Sequence, residues 1–279
     1  MVAVYSRDNL NRWISDSEID YFTYFIKAWI PFNAWYNNSF HHVGESDRAK
    51  INFVKSNSNE IRNAIHNFLE RSGNENDLFK NYLANFYHSL GETTILSNGE
   101  RISFESIVIE SNNKSIIDNE IIRGVKYYLR RVDGDRRQVT KMTSIVKNSS
   151  GATIFMCETN DYNLESILVH PDYQNRLSTS QQSNLKVFYE DLNPNKPINL
   201  IVPDREATPG NHYDCMGIKF IRDENNTLCQ ADKMCKGLIE ILYRLRNLLF
   251  HGELNPTNDN KKIYMYAYLI LKMLIERIR

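Results

Sequence analysis

The chain has no surplus of either charge: 34 basic residues stand against 34 acidic ones. No bulk field therefore attracts nucleic acid, and any RNA contact must come from a local patch. It lacks an apolar run of the roughly 20 residues that a bilayer span requires, so no membrane partner is expected. Its start, MVAVYSRDNLNRW, has no apolar signal-peptide core. A cytoplasmic protein is the expectation. Cysteine is scarce, with four residues at irregular spacings. This excludes a disulfide framework in a chain long enough to bury a core without one. His212, Cys215, Cys229 and Cys235 contain no CxxC pair; small buried thiols are preferred over a zinc site, and neither metal nor cofactor is expected. P-loop, GxGxxG, HExxH and GxSxG patterns are absent, leaving nucleotide hydrolysis, redox, zinc-protease and serine-esterase chemistry without support.

Amphipathic helices are plentiful. From Ser17 to His42, Ile19, Phe22, Phe25, Ile26, Trp29, Phe32 and Tyr36 recur at intervals of three and four, predicting a long helix that kinks or restarts at Pro31. A second helix is expected over Asp47–Arg71, weakened by its central SNSN, and a third over Asn76–Leu90 with Gly91 as its C-cap. Beyond Gly91 the composition shifts. A hairpin is expected around Asn98-Gly99, and residues 117–129 suit a helix or the start of a meander equally. Residues 160–217 hold five of the seven prolines and read as loops with a helix near 182–192 and a strand at 198–202.

Regular structure returns in Gln230–Phe250, where Met234, Leu238, Leu242, Leu245 and Leu249 form one stripe. Gly252 suits a helix stop, and a final helix is predicted over Lys261–Arg279 with Asp259 or Asn260 as N-cap. The fold expected is mainly α: a bundle of N- and C-terminal helices (residues 1–90 and 230–279) around an α+β insert at 91–229.

Chemistry concentrates in YRLRNLLFHGE. Asn247 and His251, four apart, share a helix face, whereas Arg246 and His251 lie about 140° apart on an ideal helix. They converge if the last turn unwinds or if a second copy supplies the missing half. Histidine suits proton transfer at the ribose 2′-OH and the leaving oxygen, and arginine's fork suits a crowded phosphorane. The bland alternative is a pair of cations on a helix C-terminus.

R-N-x3-H on a Leu-rich penultimate helix, followed by Gly and a final apolar helix, resembles the signature of the HEPN superfamily. The phrases WIPFNAWYN and LYRLRNLLFHGE resemble its Apea-like and phage-defence branches, over residues 17–90 and 230–279. The resemblance implies a helical bundle that dimerises to face two motifs in one cleft. It implies metal-independent cleavage of RNA, tRNA among the candidates, by a toxin or antiviral effector. An antitoxin or operon partner is a further expectation. Arg246 would stabilise the phosphorane, His251 act as general base or acid, and Asn247 orient them, with Tyr243 and Glu253 lining the cleft. Some members of the superfamily are non-catalytic binding modules, sensors or regulators of another toxin, and that is the alternative reading.

Outside the motif, RGVKYYLRRVDGDRR holds six basic residues and two tyrosines against two aspartates. Lys126, Arg130 and Arg131 are the expected RNA contacts there, weighed against a merely solvated basic face. His41-His42 reads as partly exposed surface, and Asn33, Trp35 and Tyr36 as bundle packing.

Overall fold

The computed structural model describes residues 20–97, 99–134, 138–227 and 229–278. The chain forms two compact units, one of residues through Val108 with Asn199–Arg279, the other Ile109–Ile198.

The first unit begins with α1 (Tyr21–Ser39), whose Asp20 side chain accepts from the Phe22 and Thr23 amides. Residues 17–19 of the expected helix lie outside the described residues. The helix runs through Pro31 without a break, because Phe25, Trp29, Phe32 and Tyr36 on both sides of it are buried along one face. The SNSN segment splits the second expected helix into α2 (Asp47–Ser56) and α3 (Glu60–Glu70). Asn59 starts α3 by accepting from Arg62 N at 3.0 Å, a capping bond that suits a short polar side chain better than an interior helical position does. Gly91 does not stop the next helix, α4 (Asn74–Glu92), which ends one residue beyond it. A small hairpin follows, β1 (Leu96–Ser97) with β2 (Glu100–Arg101); Asn98 of the expected turn is outside the described residues.

The second unit carries β3 (Val108–Ser111), then β4 (Ile116–Ile122), β5 (Val125–Asp133), β6 (Val139–Lys147) and β7 (Thr153–Thr159). The last four form an antiparallel meander in chain order. Three helices follow: α5 (Leu164–Leu168), α6 (Pro171–Arg176) and α7 (Thr179–Asp191), the last opened by a Ser178/Gln181 capping box. β8 (Asn195–Ile198) returns to pair with β3. One face of the meander, including Tyr127, Leu129, Met142, Val146 and Phe155, is buried against Ile167, Tyr173, Leu185 and Tyr189 of the helices.

The chain re-enters the first unit with β9 (His212–Cys215) paired to β10 (Ile218–Ile221). Two long helices close it, α8 (Asp232–Phe250) and α9 (Asn258–Ile275), with Thr257 rather than Asp259 or Asn260 capping the latter. α9 lies chiefly along α1 and α4 and meets α8 where Tyr264 Oη donates to Leu245 O at 2.7 Å. The core is aromatic: Phe25, Trp29 and Phe32 pack in series beside Tyr264, and Phe68 stacks on Phe79 at 4.7 Å.

The expectation of a mainly α chain is corrected by this architecture. About 50% of the described residues are helix and about 20% strand, in several antiparallel sheets, an α+β fold. Residues 117–129, which read equally as helix, belong to two strands joined by a turn at Arg123-Gly124, because Ile117, Tyr127 and Leu129 face the core while Lys126 and Arg130 face out, a period of two that a helix does not satisfy. The expected insert began at 91 and ended at 229. Its flanks instead bury Ile102, Phe104, Leu200 and Phe220 in the first unit. There Gly237 of α8 leaves room for Leu200, whose Cδ1 would lie 2.2 Å from any added Cβ.

Candidate functional site

The end of α8 is built by its stop signal. Glu253 N donates to Leu248 O at 3.0 Å and Gly252 N to Leu249 O at 3.2 Å, the paired bonds of a Schellman motif. Gly252 holds φ +67°, a left-handed conformation that costs a residue with a Cβ about 1–2 kcal/mol. Gly252→Ala is expected to lower stability by about 1 kcal/mol, read as a drop in urea midpoint; an unchanged midpoint would mean that this stop does not hold the helix end.

Arg246 is fixed on this helix from three directions. Its Nη1 donates to Asn247 Oδ1 at 3.0 Å, its Nη2 pairs with Asp47 Oδ2 at 3.3 Å, and its guanidinium carbon lies 4.2 Å from the centre of the Phe250 ring. Only 18% of the Arg246 side chain is exposed, and its Nε is buried without a hydrogen-bond partner among the described residues. The imidazole of His251 is exposed at the C-cap and makes no hydrogen bond or ion pair among the described residues. The last turn does not unwind, and no hydrogen bond joins the Arg246 and His251 side chains within one chain. Glu253 is exposed beside them.

Asp47 is placed by the start of α2, where Ser46 Oγ accepts from Ala49 N at 3.2 Å and the carboxylate sits in the first turn, favourable for the helix dipole. The next residue, Arg48, reaches Glu240 through Nη1 at 2.9 and 3.0 Å. Glu240 also receives Lys55 Nζ at 2.7 Å and Arg244 Nε at 3.1 Å. Burial alone would raise this carboxyl, but the cations, Lys55 first, hold it down at about 2. For Lys55 itself burial prevails and lowers the ammonium despite Glu240. The worth of the cluster therefore rests on one carboxylate shared among three cations rather than on the Lys55 pair alone.

Tyr243 lies within this clamp, 8% exposed, beneath the Arg48 guanidinium at 5.4 Å and beside Trp29 at 6.3 Å. The Tyr36 hydroxyl and Trp29 Nε1 are buried nearby with no hydrogen-bond partner among the described residues. Burial, then Asp47, raises the Tyr36 phenol well above its ordinary range, so it stays protonated. Asp47, Arg48, Lys55 and Glu240 escaped the sequence reading, which took Tyr36 as bundle packing. The usable signal was Glu240, a lone acid on the apolar stripe of α8, which needs cations if buried.

The basic segment divides by strand parity. Lys126 and Arg130 are exposed, whereas Arg131 is 4% exposed and serves the fold of its own unit. Its Nη1 donates to Leu192 O at 2.5 Å, Nη2 to Asn112 O at 2.7 Å, and Nε to Asp133 at 2.8 Å. Arg131→Met should cost about 1.5–3 kcal/mol, the range for losing hydrogen bonds to a charged group; a thermal unfolding curve indistinguishable from the parent's would contradict that role. Arg136 and Arg137 lie outside the described residues. Of the remaining candidates, His41 and His42 are exposed, with His41 Nδ1 3.0 Å from Asn38 O. Asn33 is bonded to Asn37, Cys215 and Cys235 are buried, and Cys157 and Cys229 are half-buried.

No family model, curated protein or solved structure matches this chain.

Proposed function

We propose that this protein is a metal-independent endoribonuclease acting as a homodimer, with Arg246, Asn247 and His251 as its active residues. The observation that carries the reading is the placement, at one helix end, of an exposed and unpartnered imidazole five residues after a guanidinium already fixed in orientation. A fixed guanidinium spends little entropy in meeting a phosphorane, and a free imidazole can take or give a proton. Because the two groups share no hydrogen bond within one chain and stand about 140° apart around the helix, a second copy of α8 completes the site. Cutting then proceeds by attack of the ribose 2′-oxygen on the adjacent phosphorus. His251 of one copy takes the 2′-OH proton while Arg246 of the other copy holds the phosphorane, the 5′-oxygen leaves with a proton from solvent, and a 2′,3′-cyclic phosphate remains.

The test is incubation of total RNA and tRNA with the protein in excess EDTA, with mass spectrometry of the ends. Cyclic phosphate ends are expected; intact RNA from a properly folded dimer would reject the activity. The second reading, a non-catalytic binding module or regulator of another toxin, is favoured by the engagement of Arg246 with Asp47 and the burial of Tyr243 beneath Arg48. It predicts RNA that is bound and never cut. Toxicity on expression, relieved by a co-expressed operon neighbour, would extend the first reading to a toxin with an antitoxin.

A further inference from the structure

We propose that the open face of the four-stranded sheet β4 to β7 is a platform for single-stranded RNA; that the strand is RNA rather than DNA rests on the ribonuclease reading. The other face of the sheet is filled by the helices of the unit, so the side chains pointing away from them are available.

The register sorts those side chains into rows across the strands, about 7 Å apart along them. Lys126 of β5 stands opposite Lys147 of β6. Two like charges directly opposed oppose strand pairing, and neither lysine has an acidic partner among the described residues. The next row is apolar and aromatic: Tyr128 opposite Ile145, and Ile145 opposite Met156, which is 50% exposed. The third row sets Arg130, also without an acidic partner, opposite Thr143 and then Glu158. Glu158 is engaged by Lys141 at 2.9 Å and Thr143 Oγ1 at 3.0 Å, so it leaves Arg130 free. Asp118 and Glu120 are the acids on β4 at the edge of the sheet.

An aromatic and apolar row between unneutralised cations fits a strand of unpaired nucleotides, with bases stacked on Tyr128 and its neighbours and phosphates beside Lys126, Lys147 and Arg130. A duplex hides its base faces and would leave the middle row unused. A second copy docked face to face would bring like-charged rows together.

The experiment uses the full chain carrying His251→Ala, so that bound RNA is not cut. Fluorescence anisotropy follows a labelled pyrimidine RNA of about 12 nucleotides between about 50 and 200 mM NaCl. Lys126→Glu with Lys147→Glu is expected to weaken binding tenfold or more and to flatten the slope of log affinity against log salt by about 1.4, two phosphates at about 0.7 each. Tyr128→Ala is expected to weaken it by about fivefold or more. Arg176→Glu with Lys186→Glu makes the same charge change on exposed positions of α6 and α7 and should leave affinity within about twofold of the parent, at most a screened long-range effect. Parental affinity and slope in the sheet-face variant would overturn the proposal, as would an equal loss in the α6/α7 control. So would a chain that self-associates through this face and becomes monomeric in the Lys126/Lys147 variant without binding RNA. DNA of the same sequence bound equally well would uphold the platform and remove the ground for specifying RNA, a result separate from whether the α8 site cleaves.

Discussion

Replacing His251 with alanine is expected to slow RNA cleavage by about 10²–10⁴-fold, the usual contribution of a positioned acid-base group, while leaving stability within about 0.5 kcal/mol of the parent. The two effects separate because the ring is exposed and touches no described side chain through a hydrogen bond or ion pair. Arg246→Ala should lose activity and stability together, since it removes the Asp47 pair, the Asn247 bond and the packing on Phe250. Arg246→Lys keeps the charge but loses the planar fork, so activity is expected to stay low. Cleavage rates from single-turnover assays, with unfolding midpoints from the same preparations, decide the matter. A His251→Ala protein that cuts at the parental rate would remove His251 from the reaction. In a homodimer with a composite site, mixing His251→Ala and Arg246→Ala chains should restore part of the activity, which two self-contained sites would not do.

The second large effect is on folding. Glu240→Gln should destabilise the chain by about 3–5 kcal/mol, the cost of breaking a buried ion pair and leaving its cations uncompensated, here Lys55 with Arg48 and Arg244. The pH dependence has a definite sign. The folded carboxyl sits at about 2 against an ordinary 4.5, so the unfolded chain takes up the proton first as pH falls. The stabilisation is complete above about 4.5 and is lost progressively between there and about 2; by linkage it amounts to about 3 kcal/mol. Urea midpoints for parent and variant should therefore differ most near neutrality and converge toward pH 2, where the folded parent also takes up a proton at this position. A gap that stays constant over that range would show that the carboxylate charge is not what holds α2 to α8. Because Arg48 and Asp47 are adjacent, loss of this clamp should also slacken Arg246, and RNA cleavage by Glu240→Gln should fall even under conditions where the variant remains folded.

What the sequence determined by itself was local. Three- and four-residue spacings of apolar side chains marked the long helices, including α8 and α9, because burial of one stripe is written directly in the periodicity. Gly252 marked the stop of α8 because a left-handed residue is needed there. The candidate triad was legible because Arg246, Asn247 and His251 lie within six residues of one another. Tertiary structure decided the rest. A run such as Ile116–Leu129 holds enough β-branched and apolar residues for either state, and only packing on α5, α6 and α7 fixes its period at two, which makes the chain α+β. The same parity made Arg131 a buried fastener and left its neighbours Lys126 and Arg130 in water. Asp47 and Glu240, which position the motif, were invisible as partners because Asp47 pairs with Arg246, and Arg48 and Lys55 with Glu240, across some 190 residues of chain. Their attraction exists only once folding has brought α2 against α8 and excluded the water that would otherwise screen it.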